Sequence, residues 1–146
     1  MCHLVVLQKK DLNKKNMATL VPTLTLTSTD ATSDALSLSV TDSLTVGAPQ
    51  VGLSRIAIPA TGGTASVLVP SGSGNQYVYI KHTGFQADGT TATTQQLAIE
   101  VGTNVDLLRL GAGEFCFFTS KSDVIIEALS AGNQLILIEY AYWTQA

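Results

Sequence analysis

Hydrophobic and polar residues alternate one by one over long parts of the chain, as they do in a β-strand with one buried face. In residues 23–27 (Thr-Leu-Thr-Leu-Thr) and 36–40 (Leu-Ser-Leu-Ser-Val), a hydroxyl side chain occupies every second position. The polar residues 28–34 between these segments predict a turn or loop. We therefore predict half-buried antiparallel strands within residues 19–46, ending at a break formed by residues 47–49, Gly-Ala-Pro.

The rest of the chain repeats short strand patterns that are separated by turns containing Gly, Pro, Asn or Ser. No helical periodicity persists over a length that would form a stable helix. The predicted strands are residues 53–58, 65–69, 76–83, 97–101, 105–110, 114–118, 123–129 and 134–143. About ten short strands with this spacing predict an all-β fold, a single β-sandwich of the jelly-roll or Greek-key type.

The last predicted strand, residues 134–143, is apolar on both of its faces. One face carries Ile136, Ile138, Tyr140 and Tyr142, and the other carries Leu135, Leu137, Glu139, Ala141 and Trp143. A strand with one solvent-facing side would alternate between apolar and polar residues. The core of a sandwich covers one face, and a second chain is the simplest cover for the other. We therefore predict an interface that includes Tyr140, Tyr142 and Trp143.

The composition indicates an ordered β-protein whose surface is poor in charge. Of the 146 residues, 45% are hydrophobic and 13% are charged, about half of the usual charged share. The length fits one domain with a substantial core. We place this β-sandwich domain at residues 17–146 and interpret residues 1–16 as an N-terminal arm or an upstream extension.

The net charge of −3 is unevenly distributed along the chain. Residues 1–16 contain four lysines and one aspartate, a net charge of +3, and the lysines are Lys9, Lys10, Lys14 and Lys15. Residues 17–146 carry four basic and ten acidic residues, a net charge of −6, so we predict no nucleic-acid partner. The lysine-rich segment is either a solvated tail or an arm that docks on a neighbouring protein. Its four lysines are candidate interface residues.

The sequence contains no set of residues with the spacing of a metal site or a nucleophilic active site. The histidines, His3 and His82, are far apart, and Cys2 and Cys116 do not complete a tetrahedral ligand set. His82 follows Lys81 at a predicted strand end, and we interpret it as a surface or interface histidine. No Gly-x-Ser-x-Gly elbow is present. We therefore predict no metal, no cofactor and no catalytic residue.

Three carboxylates in late predicted strands, Glu100, Glu127 and Glu139, are the remaining candidates for catalysis. A glycosidase sets two carboxylates across a cleft, and this short chain lacks the long loops that build one. We interpret the three as charges that interrupt the outer faces of apolar strands. No apolar run approaches the roughly 20 residues of a membrane-spanning helix, so we predict no membrane partner. The expected protein is not an enzyme.

Three segments resemble small virion proteins of tailed bacteriophages. They are Tyr-Val-Tyr-Ile-Lys-His-Thr-Gly at residues 77–84, Leu-Arg-Leu-Gly-Ala-Gly-Glu-Phe-Cys-Phe-Phe at 108–118, and the final stretch, 124–143, which closes on Glu-Tyr-Ala-Tyr-Trp. The resemblance covers roughly residues 20–146 and leaves out the arm. It implies a β-sandwich on the capsid exterior of a virion assembled in the host cytoplasm. The implied partners are further copies of the chain, with a trimer favoured, and a major capsid protein.

A capsid decoration or cement protein is therefore the first functional hypothesis. Such a protein acts by burying surface between subunits, so it needs apolar faces, little charge and no active site. Two alternatives remain open: a tail, neck or fibre protein, and a carbohydrate-binding adhesive module that uses exposed aromatic residues. Phe85, at the start of the polar segment 85–95, is a candidate for contact with a protein partner or with a sugar, as are Tyr142 and Trp143.

Overall fold

The computed structural model describes residues 17–72, 74–102 and 105–146, with the side chains of residues 48–51 excepted. These residues form eleven β-strands and no helix, which confirms the predicted all-β class. The arm predicted at residues 1–16 lies outside the described residues. The strands are β1 (Ala18–Leu20), β2 (Thr23–Ser28), β3 (Leu36–Thr41), β4 (Leu44–Ile58), β5 (Ser66–Val69), β6 (Gln76–Gln86), β7 (Leu97–Val101), β8 (Asp106–Leu110), β9 (Phe115–Ser120), β10 (Ile126–Ser130) and β11 (Ile136–Gln145).

Nine of these strands form two antiparallel sheets, which we call the first and second sheet. The first sheet has the order β1-β4-β11-β6-β9 and the second has the order β5-β10-β7-β8. The pairs are nested, because β4 pairs with β11, β5 with β10, β6 with β9 and β7 with β8. Successive pairs alternate between the two sheets. This path, one long hairpin wound into two layers, is that of a jelly roll.

Alternate side chains of both sheets fill one common core. Ile80 of β6 and Ile138 of β11 enter it from the first sheet, and Ile99 of β7 enters from the second, each with no exposed surface. Burying an isoleucine side chain stabilises the fold by about 1.5–3 kcal/mol. Because one cluster draws on both sheets, the sheets pack face to face, and the predicted sandwich is confirmed.

Strand β4 is longer than the sequence pattern predicts. It runs without interruption through residues 47–49, where we predicted a break. That prediction is wrong because a proline can be accommodated in a strand at an irregularity of the ladder. The pairing of β4 with β11 shifts register on both sides of the pair formed by Pro49 and Trp143.

His82 is the one imidazole among the described residues, and it lies in the core with no exposed surface. Its Nδ1 accepts a hydrogen bond from the amide of Gly84 at 2.9 Å, and its Nε2 lies 2.9 Å from the carbonyl of Gln95. Because an amide can only donate, Nδ1 carries no proton, and the ring is the neutral tautomer with the proton on Nε2. The surface position predicted for His82 is wrong, since β6 continues to Gln86 and alternation turns the ring inward.

Replacing His82 with leucine is expected to lower the free energy of unfolding by about 3 kcal/mol. The cost arises because the Gly84 amide and the Gln95 carbonyl would each lose a buried hydrogen bond. Urea unfolding followed by circular dichroism measures the change. As a control, Lys81→Leu alters the neighbouring outward position and should stay within about 0.5 kcal/mol of wild type. Equal stability of His82→Leu and wild type would contradict the assigned role.

Strands β2 and β3 form a separate two-stranded ribbon, which we call the ribbon. In the ribbon Thr23 pairs with Thr41, and in the first sheet Leu20 pairs with Leu44, so both ladders follow one register. The segments β1–β2 and β3–β4 are therefore the two arms of a single long hairpin. Every described side chain of the ribbon is exposed or only partly buried, so the sandwich covers neither of its faces. The antiparallel strands predicted here are confirmed, but their predicted half-burial is wrong for β2 and β3, because the ribbon stands apart from both sheets.

Candidate functional site

Four aromatic side chains lie together on the outer face of β6 and β9. Tyr77 and Tyr79 point outward because the alternate positions of β6 fill the core. Phe117 stands opposite Tyr79 in the ladder, and its ring stacks on Tyr77 with centroids 6.1 Å apart. Phe115 packs against Tyr79 at 6.4 Å. Phe115 is 61% exposed and Phe117 is 38% exposed, so these rings form an apolar surface that faces solvent.

Trp143 extends this surface onto β11. It pairs with Tyr77 across the ladder, and it is partly buried. We call Tyr77, Tyr79, Phe115, Phe117 and Trp143 the aromatic face. Burial raises the pKa of Tyr79, and the neighbouring Glu139 carboxylate raises it further, so the phenol stays neutral at physiological pH. Neutral aromatic residues with a polar tip are the type enriched at protein interfaces.

A row of alternating charges crosses the same sheet beside the aromatic face. Glu139 of β11 lies between Arg55 of β4 and Lys81 of β6 in the ladder. The Nε of Arg55 donates to Oε1 of Glu139 at 2.8 Å, and the Arg55 side chain is 67% exposed. Lys81 in turn pairs with Phe115, which joins the row to the aromatic face. Arginine, like tyrosine and tryptophan, is enriched among the residues that contribute most of the binding energy at protein interfaces.

The charged row forms the floor of a shallow cleft of about 240 Å³. Its lining residues are Arg55, Lys81, Thr83, Phe85, Gly89, Leu137 and Glu139. The wall formed by the 87–96 loop is ordered by Asp88, whose carboxylate accepts hydrogen bonds from the amides of Thr90 and Thr91 at 2.9 and 2.8 Å. The Thr91 hydroxyl, followed by these amides, lowers the pKa of Asp88 to about 2. The loop therefore carries a fixed negative charge at neutral pH.

The structure brings some of the predicted interface residues together and separates others. Phe85 is 39% exposed and lines the cleft, and Trp143 belongs to the aromatic face. Tyr140 and Tyr142 lie on the inner face of β11, where Tyr142 is 6% exposed and packs in the core. Tyr142 therefore supports the fold, and Tyr140 packs against the core but is only partly buried. Lys9, Lys10, Lys14 and Lys15 lie outside the described residues.

The aromatic face is the part of the site that sequence analysis did not identify. Its signal is present, because Tyr77 and Tyr79 recur at every second position, as do Phe115 and Phe117. The missing information was that β6 and β9, which are separated by two strands of the other sheet, are neighbours. Only this pairing turns two short aromatic patterns into one surface.

The three strand carboxylates do not share one face. Glu100 and Glu127 lie directly opposite each other on β7 and β10 of the second sheet, whereas Glu139 is on the first sheet. Glu100 is only 7% exposed. Like charges directly opposite in an antiparallel pair destabilise it. The Glu100–Glu127 pair is therefore a local weakness of the second sheet.

Removing one charge from each site is expected to have opposite effects on stability. Glu127→Gln relieves the repulsion with Glu100 and should raise the free energy of unfolding by about 0.2–1 kcal/mol. Glu139→Gln removes the ion pair with the exposed Arg55 and should lower it by a similarly small amount, about 0.2–1 kcal/mol. Thermal unfolding at low and high salt measures both changes. Two shifts of the same sign would contradict this assignment.

The cysteine on β9 is a poor nucleophile at neutral pH. Cys116 packs against the core between the two exposed phenylalanines, and burial raises its pKa to about 11. The thiol is therefore protonated, and a protonated thiol is a poor nucleophile. Within the part of the chain that the structure describes, no three His, Cys, Asp or Glu side chains are grouped so that they would hold a metal ion.

The chemistry that this site offers is surface contact through aromatic rings, an arginine–glutamate pair and a shallow cleft. Residues 17–72, 74–102 and 105–146 contain no helix that is long and apolar enough to cross a membrane. No protein-family model matches the chain, and no curated protein matches it either.

Proposed function

We propose that the chain is a structural virion protein of a tailed phage, and more specifically a capsid decoration or cement protein that acts through protein–protein contacts. The observation that carries the proposal is the aromatic face, with Phe115 61% and Phe117 38% exposed on a jelly roll that is otherwise fully formed. Exposed apolar patches of this kind mark interaction sites. Here the patch has charged neighbours that set the orientation of a partner.

The same features fit a protein that works in many copies. A stable interface buries about 1,200–2,000 Å² in total, and one two-stranded patch supplies only part of that area. Copies repeated over a shell add their contacts through multivalency, so each joint can be weak. The low charge, 13% of residues, reduces repulsion between neighbouring copies. The proposed partners are other copies of the chain, with a trimer favoured, and a major capsid protein on the outside of the shell.

Two adjacent phenylalanines of β9 provide a test that separates assembly from folding. Phe117→Ala alters the aromatic face and should reduce oligomerisation and binding to emptied capsid shells of the phage that encodes the chain, at a stability cost of about 1 kcal/mol. Phe118→Ala alters the inward neighbour, which packs against the core, and should cost about 3 kcal/mol. Co-sedimentation with shells and urea unfolding measure the two effects. Unchanged shell binding by Phe117→Ala would count against the proposal.

Deleting residues 1–16 is expected to weaken docking to the shell and leave the sandwich folded. The segment has a net charge of +3 and residues 17–146 have a net charge of −6, so removal takes away the one basic part of the chain. The loss should be largest at low salt, because screening already weakens such contacts at high salt. Binding curves of both forms on the same shells at two salt concentrations measure it. Equal affinities would remove the arm from the proposal.

The charged cleft favours one second candidate, a carbohydrate-binding module. Arg55 and Glu139 offer hydrogen-bonding groups beside the ring of Phe85, a combination that suits a sugar. A glycan array with wild type and Glu139→Gln distinguishes the two candidates. Specific hits that disappear in the variant would favour the module, whereas binding to shells without glycan hits favours the structural role. Binding to isolated tails in place of shells would assign the chain to the tail, neck or fibre.

A further inference from the structure

The ribbon extends past the end of its own sandwich. Strand β11 ends at Gln145, which pairs with Val46 near the start of β4. Strands β2 and β3 lie beyond this end, and neither pairs with a strand of the first sheet. The amide of Asp42 donates to the carbonyl of Pro22 at 3.1 Å and joins the two ladders of the hairpin. Six residue pairs follow, and at about 3.4 Å per residue they span about 20 Å.

One face of the ribbon is apolar, and no part of the described chain covers it. Leu24, Leu26, Leu38 and Val40 point to this face and are 48%, 43%, 40% and 52% exposed. The other face carries hydroxyl groups that bond across the strands, as between Thr23 and Thr41, whose oxygens are 3.0 Å apart. A two-stranded hairpin on its own is only marginally stable in water. The apolar face therefore requires a second layer.

The aromatic face matches the ribbon in size and character. The pairing of β6 with β9 contains six residue pairs, and so does the pairing of β2 with β3. Four of the six outward positions of β6 and β9 are aromatic, the other two being Lys81 and Thr119, and Trp143 widens the surface onto β11. The ribbon likewise turns four apolar side chains to one face. They lie toward opposite edges of the first sheet, because the ribbon continues from β1 and β4, and β11 separates β4 from β6 and β9. Each copy therefore carries two matching surfaces that do not cover each other.

We infer that the ribbon of one copy docks its apolar face on the aromatic face of a second copy. The inference rests on the proposed structural role and names the two surfaces that assembly uses. The contact is heterologous, with a different surface on each partner, so every copy donates one ribbon and receives one. A single joint has a footprint of only about 200 Å², two strands wide and six residues long. Closing a ring gives each copy two joints, so the weak contacts add through multivalency.

Two lysine substitutions at neighbouring positions of β3 test the donor side. Leu38→Lys places a charge on the apolar face, and Ser39→Lys places the same charge on the hydroxyl face. Size-exclusion chromatography with light scattering on the full chain should show an oligomer for wild type and for Ser39→Lys, and a monomer for Leu38→Lys. Circular dichroism melting should show that the sandwich of each variant remains folded. An oligomer of unchanged size in Leu38→Lys would overturn the inference.

A mixing experiment tests whether the two surfaces meet each other. Phe117→Lys damages the aromatic face and keeps its ribbon, whereas Leu38→Lys damages the ribbon and keeps its aromatic face. Each variant alone should be monomeric. An equimolar mixture retains one intact joint per pair, so differently labelled variants should show weak energy transfer that rises with protein concentration and exceeds that of either variant mixed with itself. Energy transfer in the mixture no greater than in either variant alone, up to the highest soluble concentration, would overturn the inference.

The results also separate this inference from the proposed function. A wild-type chain that is monomeric and still binds emptied shells would overturn the ribbon contact and leave the structural role standing. The capsid protein would then cover the apolar face of the ribbon. A ring that depends on Leu38 and Phe117 but does not bind shells or tails would support the ribbon contact and overturn the virion role.

Discussion

Burial of alternate side chains between two sheets is the interaction on which the whole molecule depends. The isoleucines of β6, β7, β10 and β11 meet in one layer, and His82 extends that layer with a ring whose two nitrogens are both hydrogen-bonded. The nested pairing of β4 to β11 brings these side chains together from positions that are far apart in the sequence. The outer faces of the two sheets follow from this arrangement, because the positions that alternate with the inward-pointing residues of each strand point outward.

The outward positions of the two sheets have different characters. The second sheet places Glu100 and Glu127 opposite each other and accepts some repulsion. The first sheet carries the aromatic face, with one ion pair beside it. A monomer in water has no need for two phenylalanines at 61% and 38% exposure on one strand. The second sheet also exposes Val67 and Leu107, at 50% and 46%, so what distinguishes the first sheet is that its exposed apolar residues are aromatic rings packed against one another.

Much of the fold could be predicted from the sequence, because period-two alternation in residues 76–83 directly reports a strand and its buried face. In residues 36–40 the same alternation reports the strand, but its apolar face is exposed. Strand order could not, since nothing local indicates that β6 lies between β9 and β11. That gap limits what the sequence can say of the site. Tyr142 and Trp143 are adjacent and equally aromatic, yet alternation sends one into the core and the other outward. No local signal places Phe115 and Phe117 beside Tyr77 and Tyr79, because that contact depends on the pairing of β6 with β9.

The interruption between β1 and β2 has a geometric consequence. Pro22 has no amide hydrogen to give to a ladder, and residues 21–22 belong to neither strand, so only the Asp42–Pro22 bond spans this point. Backbone hydrogen bonding between the two arms is therefore sparser here than in the ladders on either side. Bending the ribbon against the first sheet costs least at this point, because it strains one hydrogen bond instead of a ladder.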